Sequence, residues 1–217
     1  MMPMRGWPLL LLVAPSLAVA SPDNGSNLPA DSSLTGLSGA EYTLSAFGYW
    51  VAGEDFFVLP IGRAELGSLH LEARYNYEDL RTGSLFAGWN FAFGSAVEAT
   101  LTPMMGFAFG RTTGLVPALE AEIFYDIFGF SFEGEYLLDL EDSSANFFYA
   151  WTELYVSPTD WLFAGLVAQR MKVVASEVEV SKGLLVGGGQ GPVSATLYLF
   201  DLTESESFIV LGIEVTL

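Results

Sequence analysis

Ionisable residues recur at two-residue spacing along this chain. Glu120 stands with Glu122, Glu133 with Glu135 and Glu177 with Glu179, and His70, Glu72 and Arg74 follow the same rhythm. A strand turns successive side chains to opposite faces, so each of these sets would occupy one face. Glu41, Glu98 and Glu214 likewise sit between apolar neighbours, Ala40 and Tyr42, Val97 and Ala99, Ile213 and Val215. Carboxylates gathered on one side of a wall either hold water and attract cations, or pair with Arg74, His70 and hydroxyl groups in a closed polar network. His70 is the single histidine and shares its face with Ser68 and Glu72. Those are the residue types of a hydrolytic relay, but a His beside Glu and Arg reads as a member of a polar network rather than a general base.

The elements that must position these groups are strands with one greasy and one ionisable face. Residues 68–77 show the pattern most clearly, with Leu69, Leu71, Ala73, Tyr75 and Tyr77 opposing Ser68, His70, Glu72, Arg74 and Asn76. Similar segments are expected at 40–51, 56–63, 68–77, 83–92, 96–107, 114–126, 129–139, 147–156, 161–171, 176–187, 193–201 and 208–217. That is twelve strands; Pro60 removes a ladder donor from the second, and without the first two strands the count is ten. Glu153 is expected to face inward with the others, taking Tyr149, Trp151 and Tyr155 with it, because a carboxylate on the apolar side is disfavoured.

Connectors alternate in length. The short ones are 64–67, 93–95, 127–128, 157–160 and 188–192, with the glycines 187, 188, 189 and 191 read as a hairpin turn. The longer ones, 52–55, 78–82, 108–113, 140–146, 172–175 and 202–207, include the acidic pairs Glu78-Asp79, Glu141-Asp142 and Glu204 with Glu206; Asp139 adds to them. These read as a solvated acidic rim, since no segment has a calcium-loop spacing, and no large plug is expected from loops so short. Tyr49, Trp50, Tyr75, Tyr77, Trp89, Phe91, Tyr125, Phe130, Trp161, Tyr198 and Phe208 lie near strand ends, where amphipathic rings suit a headgroup layer.

Composition narrows the class. The 217 residues carry 26 Asp and Glu against 8 Lys and Arg, for a net charge of −18, while 51% are hydrophobic. So large an acidic excess argues against nucleic acid as a partner. The chain lacks cysteine, which removes lipid attachment, disulfides and Cys-bound metal. No metal site and no cofactor motif is found; the glycine cluster lacks the Lys and Thr of a phosphate loop. Residues 1–20 read as a signal peptide, with Arg5, an apolar core from Trp7 to Val13, and Ala18-Val19-Ala20 as the cleavage site. The apolar run is far shorter than the roughly 20 residues of a spanning helix. Residues 21–39 read as a flexible periplasmic leader and 40–217 as one domain.

Taken together, the signal peptide, the alternating strands, the connector rhythm and the final strand resemble Gram-negative outer-membrane β-barrel proteins. In that strand Ile209, Leu211, Ile213, Val215 and Leu217 form an apolar row reaching the last residue, similar to the C-terminal signal read by the barrel assembly machinery. The resemblance implies an all-β transmembrane up-and-down antiparallel barrel, with outer-membrane lipid, lipopolysaccharide and the assembly machinery as partners. It also implies that His70 does not act as in outer-membrane lipid hydrolases, whose reactive groups face lipid. The expected lumen lining is Glu41, His70, Glu72, Arg74, Glu98, Glu120, Glu122, Glu133, Glu135, Glu177, Glu179 and Glu214. Two functional expectations follow for this non-enzymatic barrel: a hydrated passive channel preferring small cationic solutes, or a non-conducting barrel acting through its acidic loops.

Overall fold

Period-two alternation governs the whole described chain, residues 39–174, 176–203 and 207–217 of the computed structural model. The signal segment 1–20, leader residues 21–38 and the acidic loop residues Glu204 and Glu206 lie outside the described residues. The strands are β1 Ala40–Val51, β2 Phe57–Leu66, β3 Leu69–Tyr75, β4 Thr82–Trp89, β5 Phe91–Gly94, β6 Glu98–Gly110, β7 Gly114–Tyr125, β8 Phe128–Asp139, β9 Phe147–Thr159, β10 Leu162–Val173, β11 Glu179–Gln190, β12 Val193–Phe200 and β13 Phe208–Thr216. Sequence neighbours pair antiparallel, except that β4 and β5 both pair with β6 and not with each other, and β1 pairs with β13, so the sheet closes on itself. No helix among the described residues is long and apolar enough to cross a membrane; the single 3₁₀ turn is Ser143–Ala145.

Thirteen segments make twelve staves. Strands β4 and β5 both pair with β6 in one unbroken register, Gly88↔Met104 and Phe91↔Leu101, which puts Pro103 opposite Trp89. Proline has no N–H to give the ladder, and the stave is interrupted there at Asn90. Closure leaves no long free edge, and the outside is almost wholly apolar: Leu44, Val58, Leu71, Leu85, Met105, Leu119, Leu154, Leu166 and Ile213 are all exposed. Trp50, Tyr75, Trp89, Phe91, Tyr125 and Trp161 are exposed near the ends of their strands, as two girdles require.

Several boundaries differ from the sequence expectation. Strand β2 runs on to Leu66, because the Ala64–Glu65 pair meets Leu71 and His70 of β3 in register. Pro60 is tolerated because the β2–β3 register ends at Ile61↔Arg74. Strand β11 begins at Glu179, not 176, since Ser176 closes a turn by donating its N–H to the Val173 carbonyl. Its other end continues through Gly187, Gly188 and Gly189, and only Gly191, at φ +62°, lies in the turn. Those glycines serve packing: a Cβ on Gly187 would stand 2.2 Å from the Phe163 ring.

Four of the expected girdle aromatics point inward instead, Tyr77 among them. Tyr49, Tyr198 and Phe208 are buried, and with Phe47, Trp151 and Phe200 they fill the lumen towards the end opposite the start of β1 and the finish of β13. Ring pairs tie them together, Trp151 with Tyr198 at 5.2 Å and Phe200 with Phe208 at 4.5 Å between centroids. Strand position cannot separate the two fates, because an aromatic on either face suits a strand.

Candidate functional site

The lumen divides into a polar cavity at the end where β1 starts and β13 finishes and a packed layer beyond it. The cavity has a volume of about 270 Å³ and includes Glu41, Glu65, Glu120, Glu122 and Glu214 with Arg63 and His70 in its lining. Its wall is built by register. Arg63 lies opposite Glu72, Glu65 opposite His70, Thr100 opposite Glu122, and Ser45 opposite Glu214, and directly opposed residues share a face.

His70 is held from one side. Its Nδ1 donates to Glu65 at 2.6 Å, the other Glu65 oxygen accepts from Asn90 Nδ2 at 2.6 Å, and Asn90 Oδ1 accepts from Thr102 at 2.7 Å. A carboxylate only accepts, which sets the imidazole's direction. Ser68 is in the turn before β3, exposed, and its carbonyl receives the Asn90 N–H. Ser68, His70 and Glu72 are therefore not assembled as a relay. Ligand atoms of His70, Glu72 and Glu120 do lie within 4.8 Å of one another. Two guanidiniums already pair with Glu72, however, and their positive charge opposes a divalent ion there.

Those guanidiniums form the layer that ends the cavity. Arg63 pairs with Glu72 and stands 4.0 Å from both Glu120 and Glu214, which also accepts from Ser45 at 2.9 Å. Arg74 pairs with Glu72, with Glu133 at 2.8 Å, with Glu135 at 3.0 Å and with Glu120 at 3.8 Å. Its side chain is 0% exposed, and it lies 4.0 Å from the Tyr77 ring centre and 4.3 Å from that of Phe86. Glu120, Glu122, Glu133 and Glu135 do stand on neighbouring strands, with Glu120 opposite Glu133. They are not an open acidic wall: Glu120, Glu133 and Glu135 meet arginines reaching across from β2 and β3, and only Glu122 of the four is left to the cavity without one.

Other expected lining residues scatter. Glu41 and Glu98 have inward parity near the cavity mouth but are exposed, and Glu179 is exposed at the opposite rim. Glu177 lies in the exposed β10–β11 connector and lines no lumen, a correction that follows from the turn at Ser176. Glu153 is inward as expected, accepting from the Trp151 indole at 2.9 Å. Sequence reasoning missed Arg63 and Glu65. Arg63 ends the expected strand 56–63, and continuing its alternation by two residues into the assumed turn reveals Glu65.

The β3–β4 connector also departs from expectation. Instead of joining the acidic rim, it folds into the lumen between Asn76 and Arg81, both at positive φ, burying Tyr77 and Glu78. Tyr77 donates to Glu133 and meets Tyr149 edge-on at 6.3 Å. Burial raises the pKa of Glu78, with Arg74 and Ser84 pulling it back. Asp79 anchors the connector to the next loop through Arg111 at 3.2 Å and Thr112 at 3.0 Å. Asp142, by contrast, is a solvated loop residue whose carboxylate accepts from the Ser144 N–H and hydroxyl, which lowers its pKa.

No protein-family model matches the sequence, and no curated protein matches it. Solved structures do. The KdgM porin superposes with a TM-score of 0.61 at 8% identity, covering 80% of this chain and 98% of that one, and the KdgM porin in complex with disordered oligogalacturonate gives the same values. Omp33 of Acinetobacter baumannii, an outer membrane protein, is matched at a TM-score of 0.44 and 12% identity over 81% of this chain and 97% of that one. With the apolar exterior and the closed ladder, the chain has the twelve-stave antiparallel fold of the outer-membrane β-barrel porins.

Proposed function

We propose that this protein is a passive outer-membrane channel for small solutes that prefers cations and rests closed. The observation that carries the reading is the cavity, where Glu41, Glu65, Glu120, Glu122 and Glu214 face Arg63 as the one permanent cation of the lining. A concave site with this excess of one sign concentrates the opposite ion and excludes its own. Oligogalacturonate, with which the KdgM porin was solved, is a polyanion; the present vestibule has the wrong sign for such a ligand. The end where β1 starts and β13 finishes is assigned to the periplasm. On that reading Asp142→Cys and Thr203→Cys react with an impermeant thiol reagent on intact cells and Thr159→Cys does not; equal labelling of all three overturns the orientation.

Beyond the vestibule the Arg74 layer and Tyr77 fill the cross-section, so conduction requires the 76–81 connector to move. Planar-bilayer recording tests this. Native protein should give infrequent steps with a reversal potential, under a KCl gradient, favouring K⁺. Tyr77→Ala should raise the open fraction, and Glu41→Gln with Glu122→Gln, which leave both arginines paired, should weaken the preference. That preference should also fall between 0.1 M and 1 M salt as the Debye length shrinks from about 10 Å to about 3 Å. The packed Arg74 layer equally favours a second reading, a non-conducting barrel acting through its loops. Folded native and Tyr77→Ala proteins that both stay silent at every salt concentration would put that reading first.

A further inference from the structure

The outward face of the barrel wall carries no carboxylate on any described strand, yet it carries three cations, Arg170, Lys172 and Lys182, all exposed and all on the adjacent strands β10 and β11. Their direction follows from the alternation, since Gln169 and Met171 on one strand and Leu185 and Gly187 on the other are buried in the lumen. Arg170 lies opposite Val180 and Lys182 opposite Ala168, so the two are diagonal neighbours, about 7–8 Å apart at the backbone and within reach of one another's targets. Each sits three residues inside the loop end of its strand, β10 ending at Val173 and β11 starting at Glu179, and Lys172 stands one outward position nearer the rim, opposite Phe148.

None of the three has an ion-pair partner among the described residues. The carboxylate of Asp201 is taken up by the backbone N–H of Lys182 at 2.9 Å, Glu179 has inward parity, and Glu177 lies in the connector above. Three uncompensated cations within one outward step of each other near the loop end, on a face that meets lipid, demand anions at that level. Long Lys and Arg side chains reach for the headgroup layer, and Arg adds a fork that fits phosphate. This is also the face of a protein whose net charge is −18, so general attraction to anions does not account for it.

We propose that Arg170, Lys172 and Lys182 form a binding site for the phosphate groups of the lipopolysaccharide that makes up the outer leaflet. The proposal is independent of conduction and rests on the loop end facing outward.

The test is binding of lipid A to the purified, folded full-length barrel in detergent, read by native mass spectrometry, with bisphosphorylated lipid A, dephosphorylated lipid A and phosphatidylglycerol as probes. Bisphosphorylated lipid A should bind at least about tenfold more tightly than the dephosphorylated form, as charge-assisted contacts to one phosphate permit. Combined Arg170→Gln, Lys172→Gln and Lys182→Gln should erase that ratio, whereas Arg81→Gln with Arg111→Gln should keep it. Heat-modified gel mobility reports that each variant is folded, and single substitutions replace the triple one if it fails to fold, each then expected to lower the ratio. A ratio near one in the native protein, a ratio that survives the substitutions, or phosphatidylglycerol bound as tightly as lipid A would overturn the proposal. So would labelling of Asp142→Cys only after the membrane is permeabilised.

Discussion

Replacing Arg74 by methionine is expected to destabilise the barrel by about 3–5 kcal/mol, the cost of removing one partner from a buried ion pair and leaving the other charge uncompensated. The guanidinium is fully buried and serves Glu72, Glu133 and Glu135 at once, with Glu120 at 3.8 Å, so its loss leaves several carboxylates facing one another in a packed lumen. Reversible unfolding in lipid vesicles measures the change. Adding Glu133→Gln and Glu135→Gln should recover much of it, because neutral amides need no counter-charge. A cost of only about 0–1 kcal/mol, typical of solvated pairs, would mean that water reaches this layer and that the lumen is open in solution. The same experiment therefore bears on conduction: a dry Arg74 layer is the reason the channel is proposed to rest closed.

A second large effect is expected on the outer wall. Met105 is 55% exposed at the middle of β6, and Met105→Arg should cost about 2–4 kcal/mol because the charge must enter the bilayer centre. Leu101, three residues from the end of the same strand, should tolerate arginine better as depth decreases. Thr100 lies opposite Glu122 and lines the cavity, so Thr100→Arg meets a carboxylate and water and should be nearly neutral. Unfolding in vesicles that ranks the three positions otherwise would reverse the assignment of faces.

Closed antiparallel architecture was legible in residues 68–77 and in the final apolar row from Ile209 to Leu217, because a half-buried strand writes its two environments into alternate positions. The effect of Pro60 was harder to judge, since the consequence of a missing donor depends on whether a neighbour still needs it. Arg63 and Glu65 escaped for a related reason. Along β2 the lumen-facing Phe57, Leu59 and Ile61 are as apolar as the outward Val58 and Pro60, so the contrast that announces a strand face vanishes just before the two charged residues.

The composition and spacing of this chain, by themselves, determined that it builds strands, that one face of each is apolar and that its carboxylates gather on the other. Period and hydropathy are local properties, and a ladder between sequence neighbours needs nothing more. Only the tertiary structure decided what those carboxylates do. Arg74 and Glu135 are 61 positions apart, Ser45 and Glu214 are 169 apart, and they meet because twelve staves close into a ring narrow enough for an arginine to cross. Closure also turned Tyr49, Tyr198 and Phe208 into a core and drew Tyr77 and Glu78 inward, since a side chain's surroundings inside a barrel are set by what faces it across the lumen, and no local pattern records that.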